Sequence, residues 1–146
     1  MQDVLISFRS LHDCGTDNED SIEFTTDGLY SFDGRVSCLT YMESEVTGME
    51  GTRTSVIVMP DKVVLDRDGV ITSRMIFQPG QRNSMLYDTP YGTATLSIDT
   101  RRITHSFDEN GGNMEIDYIL GVEHAVVSKN RFSLDVSKQK GDRSYV

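Results

Sequence analysis

Tyr41, Glu43 and Glu45 stand two residues apart. On an extended chain, side chains at that spacing share a face and lie about 6.5–7 Å from one another. A phenol and two carboxylates in a row suggest one chemistry above others, since paired carboxyl groups carry acid and base work in hydrolysis. With the row facing a barrel interior, the glutamates need a counter-charge, because unpaired buried charge is costly. Arg74 or Arg67 supplies it, and Arg74 is the residue assigned to the group. With the row facing water, solvated glutamates account for the same letters. Leu39 is the only apolar residue on that face to argue for the interior.

Tyrosines make a second constellation. Tyr41, Tyr87, Tyr91 and Tyr118 lie in or beside extended segments. Their rings offer a ligand an apolar wall with a polar tip, and they serve equally as ordinary sheet residues. The site expected from these residues is Tyr41, Glu43, Arg74 and Tyr87, with no catalytic residue, no metal ligand and no cofactor.

Other chemistry is harder to assemble. His12, His105 and His124 have no metal-ligand spacing, and neither Cys14 nor Cys38 has a near partner. Asp66-Arg67-Asp68-Gly69 resembles part of a calcium loop, but placing Gly69 sixth puts Val64 first and Met75 twelfth, where carboxylates are required. The acidic group Asp13, Asp17, Glu19 and Asp20 reads as a solvated loop spanning His12–Asp20. Gly-x-Ser-x-Gly is absent. His105 and Ser106 are strand neighbours and point to opposite faces. Gly48-Met49-Glu50-Gly51 lacks the lysine of a phosphate loop.

The elements that must position these residues alternate with period two. Val4, Ile6 and Phe8 share a face, as do Ile22, Phe24 and Thr26, then Thr54, Val56 and Val58. Later come Ala94, Leu96 and Ile98; Ile103, His105 and Phe107; Met114, Ile116, Tyr118 and Leu120; and Phe132, Leu134 and Val136. Residues 70–77 carry large side chains on both faces. Asp33-Gly34 and Asp68-Gly69 favour type I′ hairpins. Pro60-Asp61, Pro79-Gly80, Pro90-Tyr91-Gly92 and Asn110-Gly111-Gly112 mark other reversals. No helical stripe of useful length appears, apart from a short turn near Ser44–Gly51. About eight to ten antiparallel strands in sequential hairpins must close on themselves, because an open meander leaves edges that aggregate. The expected fold is all-β, a single closed up-and-down barrel over 1–137, with 138–146 a frayed tail.

A chain of 146 residues suits one domain with its own core. Its formal charge of −9 repels phosphate backbones and anionic lipid, which argues against nucleic acid and membrane surfaces as partners. Met1-Gln2-Asp3-Val4 is acidic where a secretory signal is basic, and Val56-Ile57-Val58-Met59 is the longest strongly apolar run. The expectation is a cytoplasmic protein with two free thiols.

Several stretches in order carry a resemblance. A Tyr41-bearing strand is followed by Glu43-Ser-Glu-Val-Thr-Gly-Met-Glu-Gly-Thr52, then Arg67-Asp-Gly69, Met75-Ile-Phe77, Tyr87-Asp-Thr-Pro-Tyr-Gly-Thr93, and Gly111-Gly112 with Tyr118 beyond. The set resembles the YwiB-like family, small bacterial cytoplasmic proteins with no assigned function. The resemblance implies a calycin-type barrel similar to lipocalins and fatty-acid-binding proteins. It carries over no residue role. The chain departs from typical lipocalins in having no tryptophan, hence no Gly-x-Trp in its first strand.

The functional expectation is a barrel that binds a small amphipathic molecule in its lumen. That reading requires a pocket of roughly 300 Å³ or more lined by Tyr41, Glu43 or Arg74. The alternative is a structural or interaction barrel with a packed core, whose Thr47–Arg53 loop or strand edge contacts a partner or a second copy in a homodimer. A third reading, hydrolysis or isomerisation by Glu43 and Glu45, requires both carboxylates to face one cavity.

Overall fold

The computed structural model describes residues 2–13, 19–45, 49–123 and 125–138. Ten strands take up almost all of them: β1 (Gln2–Asp13), β2 (Glu19–Phe32), β3 (Ser37–Met42), β4 (Thr52–Val58), β5 (Val63–Gly69), β6 (Thr72–Phe77), β7 (Arg82–Thr89), β8 (Gly92–Asp108), β9 (Gly111–Val122) and β10 (Ala125–Lys138). Each pairs antiparallel with its neighbours in sequence. β1 also pairs with β10, from Val4↔Lys138 to Asp13↔Lys129, and closes the meander into a barrel. No helix occurs among the described residues, and so none long and apolar enough to cross a membrane.

Period-two alternation explains why these segments are strands, and the lumen collects one face of each. Val4, Ile6 and Phe8 on β1, Val56 and Val58 on β4, Met114 and Ile116 on β9, and Leu134 and Val136 on β10 are all buried. Fully burying one such side chain contributes about 1.5–3 kcal/mol. On β2 the inward row passes through Gly28, where a Cβ would collide with the Ile6 Cδ1 and stand 2.8 Å from the Thr40 carbonyl. Only glycine lets Ile6 sit that close to the sheet.

One end of the barrel is shut. The tip of the β8–β9 hairpin reaches β1 and β2 there: the Tyr30 hydroxyl donates to the Asp108 carbonyl at 2.7 Å, and the Gln2 amide to the Glu109 carbonyl at 2.6 Å. The β8–β9 register shifts between Thr100 and Arg102, where this long hairpin changes course. On its outer wall Asp117 accepts from Arg131 Nε at 2.7 Å and lies 3.2 Å from Arg102 Nη2. The Arg131 hydrogen bond, more than the two positive charges, holds the Asp117 carboxyl below the usual range.

Not every ladder is complete. Between β6 and β7 only Thr72↔Asp88 and Ser73↔Tyr87 pair. Further along, the Asn83 side-chain amide donates to the Ile76 carbonyl at 3.2 Å and bridges the gap.

Several local expectations need correction. Type I′ turns require positive φ at both central residues, yet Glu123 is the only described non-glycine residue with positive φ. Gly34 has φ 95°, while the Asp33 carboxylate accepts from the N–H groups of Arg35 and Val36 at 2.9 and 2.7 Å. This side-chain-capped loop replaces a two-residue hairpin. Asp68-Gly69 closes β5, and the chain reverses at Val70-Ile71 instead. The supposed loop His12–Asp20 is shorter, since β1 runs to Asp13 and β2 starts at Glu19. Cys14 and residues 139–146 of the expected tail lie outside the described residues, as do 46–48 of the turn near Ser44–Gly51. Cys38 is a free, half-buried thiol.

Candidate ligand-binding site

The opposite end of the barrel holds a cavity of about 230 Å³. Its wall is aromatic. Phe8 stacks on Phe24 with ring centres 4.7 Å apart, meets Tyr41 at 4.8 Å and Phe132 at 5.8 Å, while Phe77 and Tyr118 meet edge to face at 5.1 Å. Such pairs contribute about 0.5–1.5 kcal/mol each beyond their burial, so the wall is shaped before anything enters. Leu65 and Met75 complete the apolar lining, and Ser10, Ile22 and Met49 stand with them around the space.

Polar groups converge on one side. β3 sends Ser37, Leu39 and Tyr41 inward, and Glu43 continues that row just past the strand's end. The row therefore faces the interior at Tyr41 and Glu43. The Glu43 side chain is 1% exposed. Thr54, opposite Tyr41 on β4, donates its hydroxyl to the Glu43 carboxylate. Tyr41 also hydrogen-bonds Glu43. Burial, and after it the Glu43 charge, pushes the Tyr41 phenol well above its ordinary range. Burial likewise raises Tyr118, against the opposing pull of Arg67.

Arg67, from β5, supplies the positive charge. Val63, Leu65 and Arg67 alternate inward, which brings the guanidinium Nε to 3.9 Å from Glu43 Oε2. At that distance the two attract without a hydrogen bond. Arg67 Nη1 donates to the Met75 sulfur at 3.4 Å, a weak acceptor, and Nε is buried with no hydrogen-bond partner. Ser73, the Cα partner of Arg67 across the β5–β6 ladder, has a buried hydroxyl that is likewise unpartnered.

Of the four residues assigned from sequence, Tyr41 and Glu43 line the cavity. Tyr87 is half-buried nearby and donates its hydroxyl to the Met49 sulfur at 3.8 Å. Arg74 is not brought in: β6 directs Ser73, Met75 and Phe77 inward and leaves Arg74 exposed on the outer face beside Asp66. Arg67, the other counter-charge considered, takes that place. Tyr118 lines the cavity, whereas Tyr91 is fully exposed at the β7–β8 turn. Glu45 is exposed in a turn beyond β3, so Glu43 and Glu45 do not form a carboxylate pair. Among the described residues no three histidine, cysteine or carboxylate side chains group to hold a metal ion. The cavity falls below the volume expected from sequence and below the roughly 300–1,000 Å³ of drug-sized sites.

A family model described as a domain of unknown function, DUF1934, matches residues 6–134. Over 105 residues the chain is 29% identical to the uncharacterised β-barrel protein YwiB of Bacillus subtilis (strain 168), covering 72% of each protein. The crystal structure of the ywiB protein from Bacillus subtilis aligns with a TM-score of 0.83 at 22% identity, over 95% of this chain and 93% of that one. At that identity the match bears on fold.

Proposed function

The chain belongs to the DUF1934 family, a YwiB-like family of β-barrel proteins, and on that premise we propose that it is a cytoplasmic, calycin-like binding protein for a small amphipathic molecule. One observation carries the reading: an aromatic-walled cavity of about 230 Å³ contains a buried carboxylate and an arginine whose Nε has no hydrogen-bond partner. Apolar walls with a few convergent polar groups are what small-ligand sites are made of. The modest volume restricts the occupant to a compact molecule, or to one whose tail projects from the mouth. Short-chain alcohols, amides and acids titrated into isotopically labelled protein test it. Saturable shifts at Phe24, Tyr41 and Met75 are expected, and Ser10→Phe, which fills the space, abolishes them. Shifts that never saturate, or that survive Ser10→Phe, would count against binding in the cavity.

A second reading, an interaction barrel, draws support from Leu86 and Tyr91. These lie 65% and 100% exposed on the β7–β8 hairpin. Its mark is association that Leu86→Lys with Tyr91→Lys abolishes while cavity binding stays absent.

A further inference from the structure

Among the described residues, the charges in the cavity lining sum to zero before any ligand arrives. Glu43 and Arg67 are the charged side chains in its lining, 3.9 Å apart at their nearest atoms. Their hydrogen-bonding needs differ. The Glu43 carboxylate already receives the Thr54 hydroxyl and a hydrogen bond with Tyr41. Arg67 brings five N–H donors; one points at a thioether and the buried Nε has no partner. Among the described lining residues it is Arg67 that lacks acceptors.

An entering oxygen would meet Arg67 at the 15% of its side chain that remains exposed, and the charge on that oxygen decides whether it is welcome. A carboxylate placed against Arg67 also faces Glu43 across a few ångströms of low-dielectric space, and like charges so placed repel strongly. A neutral oxygen accepts the same N–H groups without that repulsion.

Resting on the small-molecule reading above, we propose that this site selects an uncharged head group offering a hydrogen-bond acceptor, an amide, ester or alcohol oxygen, over a carboxylate of equal chain length. Arg67 holds the acceptor, Glu43 excludes the anion, and the rings of Phe24, Phe77 and Phe132 receive the alkyl portion. Glu43 is on this view a specificity determinant rather than a catalytic residue.

The test compares octanamide, octanol and octanoate on the full-length protein at neutral pH, with binding read from amide chemical shifts. Octanamide and octanol bind more tightly than octanoate by about tenfold or more. Octanoate binding equally well or better would overturn the head-group assignment and leave small-molecule binding intact. If no probe gives saturable shifts that Ser10→Phe removes, both readings fall. Glu43→Gln removes the repelling charge and leaves Arg67 unbalanced, so octanoate should gain on octanamide by about tenfold or more. An unchanged ratio in a folded Glu43→Gln protein would count against the proposal. Should that variant not fold, the comparison of probes on the unmodified protein still decides it.

Discussion

At the end of the barrel shut by the β8–β9 tip, the lumen is filled by Val4, Ile6 and Tyr30, with at most traces of solvent exposure. At the other end the same alternation delivers Tyr41, Glu43 and Arg67 among aromatic rings, and a space remains. The contrast lies in the side chains. At the shut end Val4 and Ile6 pack with Tyr30, whose ring meets Phe107 at 6.1 Å, whereas at the mouth Phe8, Phe24, Phe77, Tyr118 and Phe132 line a cavity. A polar group is kept at the shut end too, but Tyr30 there meets its need within the protein, donating to the Asp108 carbonyl. Arg67 does not, and an unmet donor at a cavity marks a place where binding can compensate a standing cost.

Four measurements sharpen or break that contrast. The largest effect belongs to the shut end: Ile6→Ala should cost about 3 kcal/mol in urea unfolding, because the close-packed surroundings cannot collapse into the hole. Ile22→Ala at the mouth, already 40% exposed, should cost less than about 1 kcal/mol. Equal losses would mean that the two ends are equally packed. Next comes Glu43→Gln, which leaves Arg67 without its counter-charge and should cost about 2 kcal/mol, with Glu43→Gln and Arg67→Met together recovering most of it. A double variant no better than the single one would show that the pair acts through something other than charge balance.

Tyr30→Phe should cost about 1 kcal/mol by removing the buried phenol's hydrogen bond to the Asp108 carbonyl. Smallest is the outer wall. Asp117 has a depressed pKa when folded, so its stabilisation is present above the unfolded value near 4 and is lost as pH falls through the lower folded value. The amount is under about 1 kcal/mol, since the pair is partly solvated, and added salt weakens it. Asp117→Asn should flatten stability in that acidic window, measured by thermal unfolding against pH.

How much of this was legible beforehand depends on the strand. Where apolar and polar residues alternate cleanly, as in Phe132–Val136, the sequence states both the strand and its inward face. β3 does not, because its inward row of Ser37, Leu39, Tyr41 and Glu43 runs from the shut end to the mouth and changes character on the way. Arg67 hides behind Val63, Val64 and Leu65, all buried, so β5 shows no alternation from which to take a phase. The choice between Arg67 and Arg74 then hangs on where the hairpin turns. Reading Asp68-Gly69 as its turn gives no hint that the chain reverses two residues later, which sets Arg67 opposite Ser73 on the inner face. Tyr118 was in phase with Met114 and Ile116, and that signal was available. Met49 comes from outside any strand, so no periodicity could find it.

The incomplete ladder between β6 and β7 makes the barrel a split ring held by a clasp. Two residue pairs and the Asn83–Ile76 contact fasten it, against a dozen pairs joining β1 to β2. Thermal breathing concentrates where the fastening is lightest, so this seam gives way before the rest of the circumference, and its amides should be early to exchange with solvent. A seam that opens also exposes strand edges to neighbouring molecules. Arg74, absent from the cavity, stands exposed where the pairing stops, and a charge at such an edge disfavours the addition of a further strand.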